Sequence, residues 1–397
     1  MYEKLHLVKP DWDDPLTRQI MELDHLKKRL LYGSTPPYLF FQLKTIFHML
    51  ESLGSARIEG NRTTLAELVD DAPPVNEEET EELKEIRNVE KAMRYIEEVV
   101  KPGSGPEAFS HVFIRTLHEL VTKGLRVDKE GDPSPGAYRS VNVVISGAKH
   151  RPPEFSAVHG YMDELLSFLA HEDGTQYDLI KVALAHHRFV WIHPFRNGNG
   201  RTVRLFTYAL LIRFGFDVGR IDETKLANES GISSARILNP TAVFCADRDA
   251  YYRKLADADS GTDIALLEWC SYVLTGLNAE IEKIDRLLDY SYLKTKILLP
   301  AITGLRQRNH ISQHESIILS KTIDSVYFAK KNVKSEIKAI KDVQLSRIIS
   351  SLRDRGLLIP VTENARKYVI GFRKGPMLRE VIRQLDQEGF LPIKNEI

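Results

Sequence analysis

Apolar positions recur at three- and four-residue spacing along most of the chain, which predicts a mainly helical protein. Between 38 and 53, Leu39, Phe40, Leu43, Ile46, Phe47, Leu50 and Leu53 form one stripe, and Gly60 supplies a stop. Thr64 with Glu67 reads as a capping box opening a short helix. Pro73-Pro74 mark a loop between Asp71 and Asn76. The acidic run from Glu77 to Glu82 then opens a long helix to about Val100, its carboxylates at the positive end of the helix dipole. Helices are expected over 109–122, 156–171, 176–191 and 201–214, and helical patterning continues to about Leu288.

Two stretches depart from this texture. Residues 128–155 are rich in Gly and Pro, and Val141, Val143 and Ile145 alternate with Asn142, Val144 and Ser146, a hairpin-like segment. From Leu293, helical pieces at 293–304, 312–320 and 330–340 precede a helix ending at Gly356. Two short strands follow, Leu357–Pro360 and Tyr368–Gly371. Helices followed by a small hairpin suggest a winged helix-turn-helix, with the helix before Gly356 in the reading position. The expected division is an N-terminal helical region (1–105), a central core (106–290) and an α+β C-terminal domain (291–397).

Charge sharpens that boundary. The chain has 397 residues with 55 Lys and Arg against 55 Asp and Glu, which excludes a wholly basic nucleic-acid packer. The zero is a cancellation: residues 291–397 carry 20 basic against 10 acidic side chains, and the remainder 35 against 45. Cys245 and Cys270 are too few for a disulfide framework or a four-cysteine zinc site and read as small buried hydrophobes. The opening Met1-Tyr2-Glu3-Lys4 has no signal-peptide character, and no apolar run approaches the roughly 18 residues of a membrane span. A cytoplasmic protein is expected.

The densest chemistry lies from His193 to Arg204: His-Pro-Phe-Arg-Asn-Gly-Asn-Gly-Arg-Thr-Val-Arg. One helix delivers His193 at its end, where Pro194 stops it. Gly198 and Gly200 allow close backbone approach, and the next helix, beginning near Arg201, turns its free N–H groups toward that loop. Such a nest suits phosphate, with Arg201 and Arg204 sharing a helix face as two guanidinium forks. A histidine beside it is placed for general-base work, and the Asn197 side-chain oxygen suits a hard cation such as Mg²⁺. His186 and His187 lack carboxylate or Cys partners at ligand spacing and read as structural.

This stretch resembles the signature of the Fic family, His-Pro-Phe-x-(Asp/Asn)-Gly-Asn-Gly-Arg-x-x-Arg, at every fixed position. The resemblance implies a helical core that transfers AMP from ATP to a Ser, Thr or Tyr hydroxyl of a target protein. His193 would be the base, Phe195 a buried anchor and Asn197 the Mg²⁺ ligand, where many relatives carry Asp. Gly198, Asn199, Gly200 and the loop amides would hold phosphates, with Arg201 and Arg204 on the β/γ end.

Upstream, Ser55-Ala-Arg-Ile-Glu59-Gly60 resembles the family's inhibitory motif, which implies that Glu59 pairs with Arg204 and occupies the γ-phosphate position. The segment after Gly136-Ala-Tyr-Arg139 resembles the target-docking flap, with Val143 and Ile145 as edge positions. Arg248 to Arg253 resembles the region beside the nucleotide, with Tyr251 or Tyr252 in contact with it. The resemblance also implies a possible homodimer. Two alternatives stay open: a DNA-binding regulator with a Fic-type sensor core, or a Fic enzyme that uses another donor or removes AMP.

Overall fold

The structure is a computed structural model that describes residues 4–28, 34–70, 80–216, 240–325, 328–329, 341–361 and 367–391. The expected loop at Pro73-Pro74, the acidic residues Glu77 to Glu79 and the helical piece at 330–340 lie outside these residues.

The chain is mainly α-helical. In order it forms α1 (Pro15–Lys28), α2 (Pro37–Ile58), α3 (Leu65–Asp70), α4 (Glu81–Val99), α5 (His111–Thr122), α6 (Val158–Ala170), α7 (Asp178–Ile192) and α8 (Asn199–Arg213). There follow α9 (Pro240–Cys245), α10 (Arg248–Ala258) and α11 (Asp263–Leu288). After a π-helical stretch at Leu293–Leu298 come α12 (Leu299–Gln307), α13 (Gln313–Asp324), α14 (Asp342–Asp354) and α15 (Gly375–Gln387). Three short strands, β1 (Phe328–Ala329), β2 (Leu358–Pro360) and β3 (Lys367–Ile370), make one antiparallel sheet of order β1-β3-β2.

Local chemistry accounts for the boundaries. Thr80, Ser110 and Thr262 cap α4, α5 and α11 by accepting the N–H of the third helical residue. The Thr64–Glu67 box forms as expected: Thr64 N–H donates to Glu67 Oε2 at 2.6 Å, and Glu67 N–H donates to Thr64 Oγ1 at 3.2 Å. Gly60, at φ 107°, ends the turn after α2 in a conformation that a side chain would strain.

The apolar side chains divide into two cores. The first gathers α1, α4 to α8, α10 and most of α11 around Phe189, Phe195, Phe206 and Trp269. The second holds the C-terminal elements, from Leu287 to Phe390. The stripe on α2, from Leu39 to Leu53, belongs to this second core, although α2 lies far from it in sequence. Hydrogen bonds fasten the junction. Buried Gln42 donates from Nε2 to the Ile370 carbonyl at 2.9 Å and accepts the Phe372 N–H at 2.7 Å. Thr35, just before α2, donates its N–H to the Leu288 carbonyl and its hydroxyl to that of Leu287, at 3.0 and 2.8 Å. Cys270 is buried and Cys245 half-buried, both free thiols.

The alternation at 141–146 forms no ladder. Residues 139–153 form bends and a turn with no helix or strand, Val141 and Val144 being exposed and Val143 and Ile145 half-buried. A strand pattern needs a partner edge, and the described residues supply none here.

Replacing Gln42 with Ala leaves a buried carbonyl and a buried N–H of the sheet without their partner. Unfolding in urea should show a loss of about 2 kcal/mol. A loss under about 0.5 kcal/mol would mean that this bridge is replaceable by water.

Candidate functional site

The site forms where α7 ends and α8 begins. His193 caps α7 with φ 51° and ψ 61°, a left-handed conformation that costs a non-glycine residue free energy, and its N–H donates to the Phe189 carbonyl at 3.0 Å. Arg139 holds it there. That buried guanidinium donates from Nε to the His193 carbonyl at 2.9 Å, and the Arg139 N–H donates to the Pro194 carbonyl at 2.8 Å. Burial pushes the His193 imidazole down to about 4, so it is neutral near pH 7 and free to accept a proton.

The loop after it is rigid from within. Phe195 is fully buried and stacks on His118 with ring centroids 3.7 Å apart. Asn199 clamps Phe195 from both sides: its Oδ1 accepts the Phe195 N–H and its Nδ2 donates to the Phe195 carbonyl, both at 2.9 Å. Both ends of the Asn199 amide thus serve the loop itself rather than a phosphate. Gly198, at φ 72°, forms the cap of α8, which begins at Asn199, two residues earlier than the spacing suggests. A Cβ on Gly198 would crowd Thr122.

Asn197 is pinned as well. Its Nδ2 donates to the Lys129 and Gly131 carbonyls at 2.9 and 3.2 Å, which fixes Oδ1 toward the Gly198 N–H at 2.7 Å. Its own N–H donates to Asp132 Oδ2 at 3.0 Å. Asp132 also accepts the Ser134 N–H and lies 3.6 Å from His118 Nε2. A magnesium ion prefers carboxylates with phosphates in its shell, whereas this loop offers one neutral oxygen already accepting a hydrogen bond. The residues present do not fit a protein-held magnesium site.

The predicted pairing of Glu59 with Arg204 is present. Arg204 is 2 % exposed; its Nη2 donates to Glu59 Oε1 at 2.7 Å and to the Ser55 carbonyl at 2.9 Å, and its Nε donates to Ser55 Oγ at 2.9 Å. Burial raises the Glu59 acid, but Arg204 and then Arg201 outweigh this and hold it below the usual carboxylate range. A Cβ on Gly200 would collide with Glu59 Oε1, so the bare backbone at the start of α8 is what admits this carboxylate.

Arg201 does not share that anion. Its Nη2 donates to both Oε2 and the carbonyl of Glu130 at 2.8 Å, and its Nη1 lies 3.1 Å from Glu85 Oε1. Of the two tyrosines, Tyr251 is a core residue, 2 % exposed, with its hydroxyl 2.9 Å from His186 Nε2. Tyr252 is 43 % exposed beside Arg248 and is the tyrosine open to a ligand. His186 and His187 are structural as expected: His186 also meets Thr207 Oγ1 at 2.8 Å and His187 meets Asp259 at 3.1 Å.

Sequence reasoning missed His118, Asp132, Glu85 and Glu130, and the hold of Arg139 on His193. Each supports the loop or an arginine from a distant segment, and no spacing connects them to it.

Residues 108–211 match the sequence model of the Fic/DOC family. Over those residues the chain is similar to Fic domains. It is 33% identical over 182 residues to a protein from Culex quinquefasciatus named protein adenylyltransferase Fic, covering 43% of this chain and 33% of that protein. A protein of the same name from Nematostella vectensis is 28% identical over 212 residues, covering 52% of this chain and 42% of that one. The chain thus spans well under half the length of these relatives. A solved Fic family protein from Desulfovibrio desulfuricans G20 superposes with a TM-score of 0.51 at 18% identity, covering 93% of this chain and 98% of that one, which shows the shared fold. The Fic match covers both α7 and the start of α8, and so the whole loop between them. No helix among the described residues is long and apolar enough to cross a membrane.

A ring titration of His193 by NMR should give a midpoint near 4, against about 6.5 for a free histidine. The folded-state value is the lower one, so between those pH values the unfolded chain binds a proton that the folded chain refuses. This group's contribution to stability is therefore present above about pH 6.5 and lost as pH falls toward 4. A midpoint above 6 would show that the imidazole is solvated.

Proposed function

We propose that this Fic domain is a self-inhibited protein adenylyltransferase, transferring AMP from ATP to a hydroxyl of a target protein. The observation that carries the reading is the Glu59 carboxylate seated on the first turn of α8 and gripped by Arg204: a position built for an anion, filled by one from the chain itself. Support comes from the unbroken signature around a neutral His193 and from the relatives named protein adenylyltransferase.

In the transfer, the target hydroxyl oxygen attacks the α-phosphorus as its proton passes to the His193 imidazole. The bond from that phosphorus to the bridging oxygen breaks, and pyrophosphate departs with the electron pair. The loop amides and Arg204 stabilise the charge on the phosphates, once Glu59 has withdrawn. Magnesium enters as part of the ATP substrate, and no step is assigned to an ion held by the protein. Residues 139–153, with Val143 and Ile145 half-buried along them, are the segment on which a target would dock in this reading.

The test is intact mass after incubation with ATP and magnesium. Glu59→Gly should add AMP to itself or a partner roughly tenfold faster than the natural chain, because the buried guanidinium is then open to phosphate. His193→Ala in that background should abolish the gain. Equal labelling with and without Glu59 would overturn the inhibitory role; labelling without His193 would overturn the mechanism.

A second reading concerns the C-terminal elements. The order α13, β1, α14, β2, β3 among the described residues, with sheet order β1-β3-β2, supports a winged-helix-like reading in which α14 would be the reading helix. Gln344, Arg347 and Arg353 on α14 are exposed, as are Arg373 and Lys374 beyond β3. Duplex DNA should bind the full chain at low salt and dissociate steeply as salt rises, with Arg347→Ala weakening it. No binding at low salt would leave this part a protein-contact module.

A further inference from the structure

Three carboxylates face the two signature arginines. Glu59 holds Arg204, while Glu85 and Glu130 both hold Arg201, so the phosphate end of the site carries an excess negative charge. An arriving triphosphate therefore finds both guanidinium groups engaged, and displacement of Glu59 opens only one of them.

The two partners of Arg201 are not equivalent. Glu85 stands on α4, 3 % exposed, and its Oε2 accepts from Asn61 Nδ2 at 2.8 Å. It is built in. Glu130 stands on the loop after α5, and its side chain is 35 % exposed. Arg201 Nη2 also donates to the Glu130 carbonyl at 2.8 Å, so that bond persists when the carboxylate turns out to solvent. Burial raises the Glu130 acid, which Arg201 only partly offsets, and the Glu59 charge raises it further. Of the two carboxylates, that of Glu130 is the one with a path to solvent.

We propose that Glu130 is a second internal competitor of the nucleotide: its carboxylate occupies Arg201 in the resting chain and is displaced by the β/γ-phosphates, while Glu85 stays and positions the guanidinium. The idea rests on the nucleotide reading above and extends it to the other arginine. Glu59 and Glu130 then act separately, one on each guanidinium, and release of the first leaves the second in place. Affinity for ATP is set by the loop at 126–132 as well as by α2.

Calorimetric titration of the full chain with ATP and magnesium tests this, in a Glu59→Gly, His193→Ala background that cannot turn over. Adding Glu130→Ala should tighten ATP about threefold to tenfold, the range of a partly exposed ion pair to a stronger one. AMP, which lacks the β/γ-phosphates, should change less than twofold. Glu130→Gln, which keeps the shape and loses the charge, should tighten ATP in the same direction and serves if the alanine variant melts early. Unchanged ATP affinity in both variants, or equal tightening of ATP and AMP, would overturn the role of Glu130 alone. Absence of ATP binding in the parent background would overturn the nucleotide reading and this proposal with it.

Discussion

The buried guanidinium of Arg204 constrains more of this molecule than any other group. A cation at 2 % exposure is tolerated only when its charge is matched and its donors are used. Here Ser55 supplies a hydroxyl and a carbonyl from the last turn of α2, and Glu59, the residue that caps it, supplies a carboxylate. The helix ends at Ile58, which sets that carboxylate on the start of α8. Gly200 makes room for it by having no side chain. Arg204 is thus matched by an anion of the chain itself, seated on the first turn of α8.

The other face of α2 answers to a different part of the chain. Its apolar stripe completes the second core, and Gln42 ties it to the backbone at the end of β3 and just beyond it. One helix thus carries the carboxylate that pairs with Arg204 at its end and the wall of the C-terminal core along its length. Thr35 and Leu287–Leu288 close the same junction from the end of α11.

Helix positions were legible because their signals are local: three-and-four spacing, the Thr64–Glu67 box, a glycine where φ is positive. Ser55, Glu59 and Arg204 were legible as motif residues, and the structure brings them together across 145 positions for the Glu59 contact. The partners of Arg201 were not, since Glu85 and Glu130 are unremarkable acidic residues until folding places both on one guanidinium. Asn199 carried a phosphate role in its motif position, yet its amide is spent on Phe195. The pair Tyr251-Tyr252 split between core and surface because helical neighbours point about 100° apart, and only packing decides which one turns inward. The alternation at 141–146 made no sheet, because a strand is defined by a neighbour and not by its own pattern.

The sequence by itself determined the helical class, the chemistry of the His193–Arg204 stretch and the break in charge near 290. Those properties depend on residues close together in the chain, or on composition summed over long stretches. Tertiary structure alone decided that α2 belongs to two parts of the molecule, that both signature arginines rest on carboxylates, and that the imidazole at His193 is neutral. Each depends on burial and on contacts between residues far apart in the chain. The free energy of a desolvated charge depends on what surrounds it, and the order of residues does not specify those surroundings until the chain has folded.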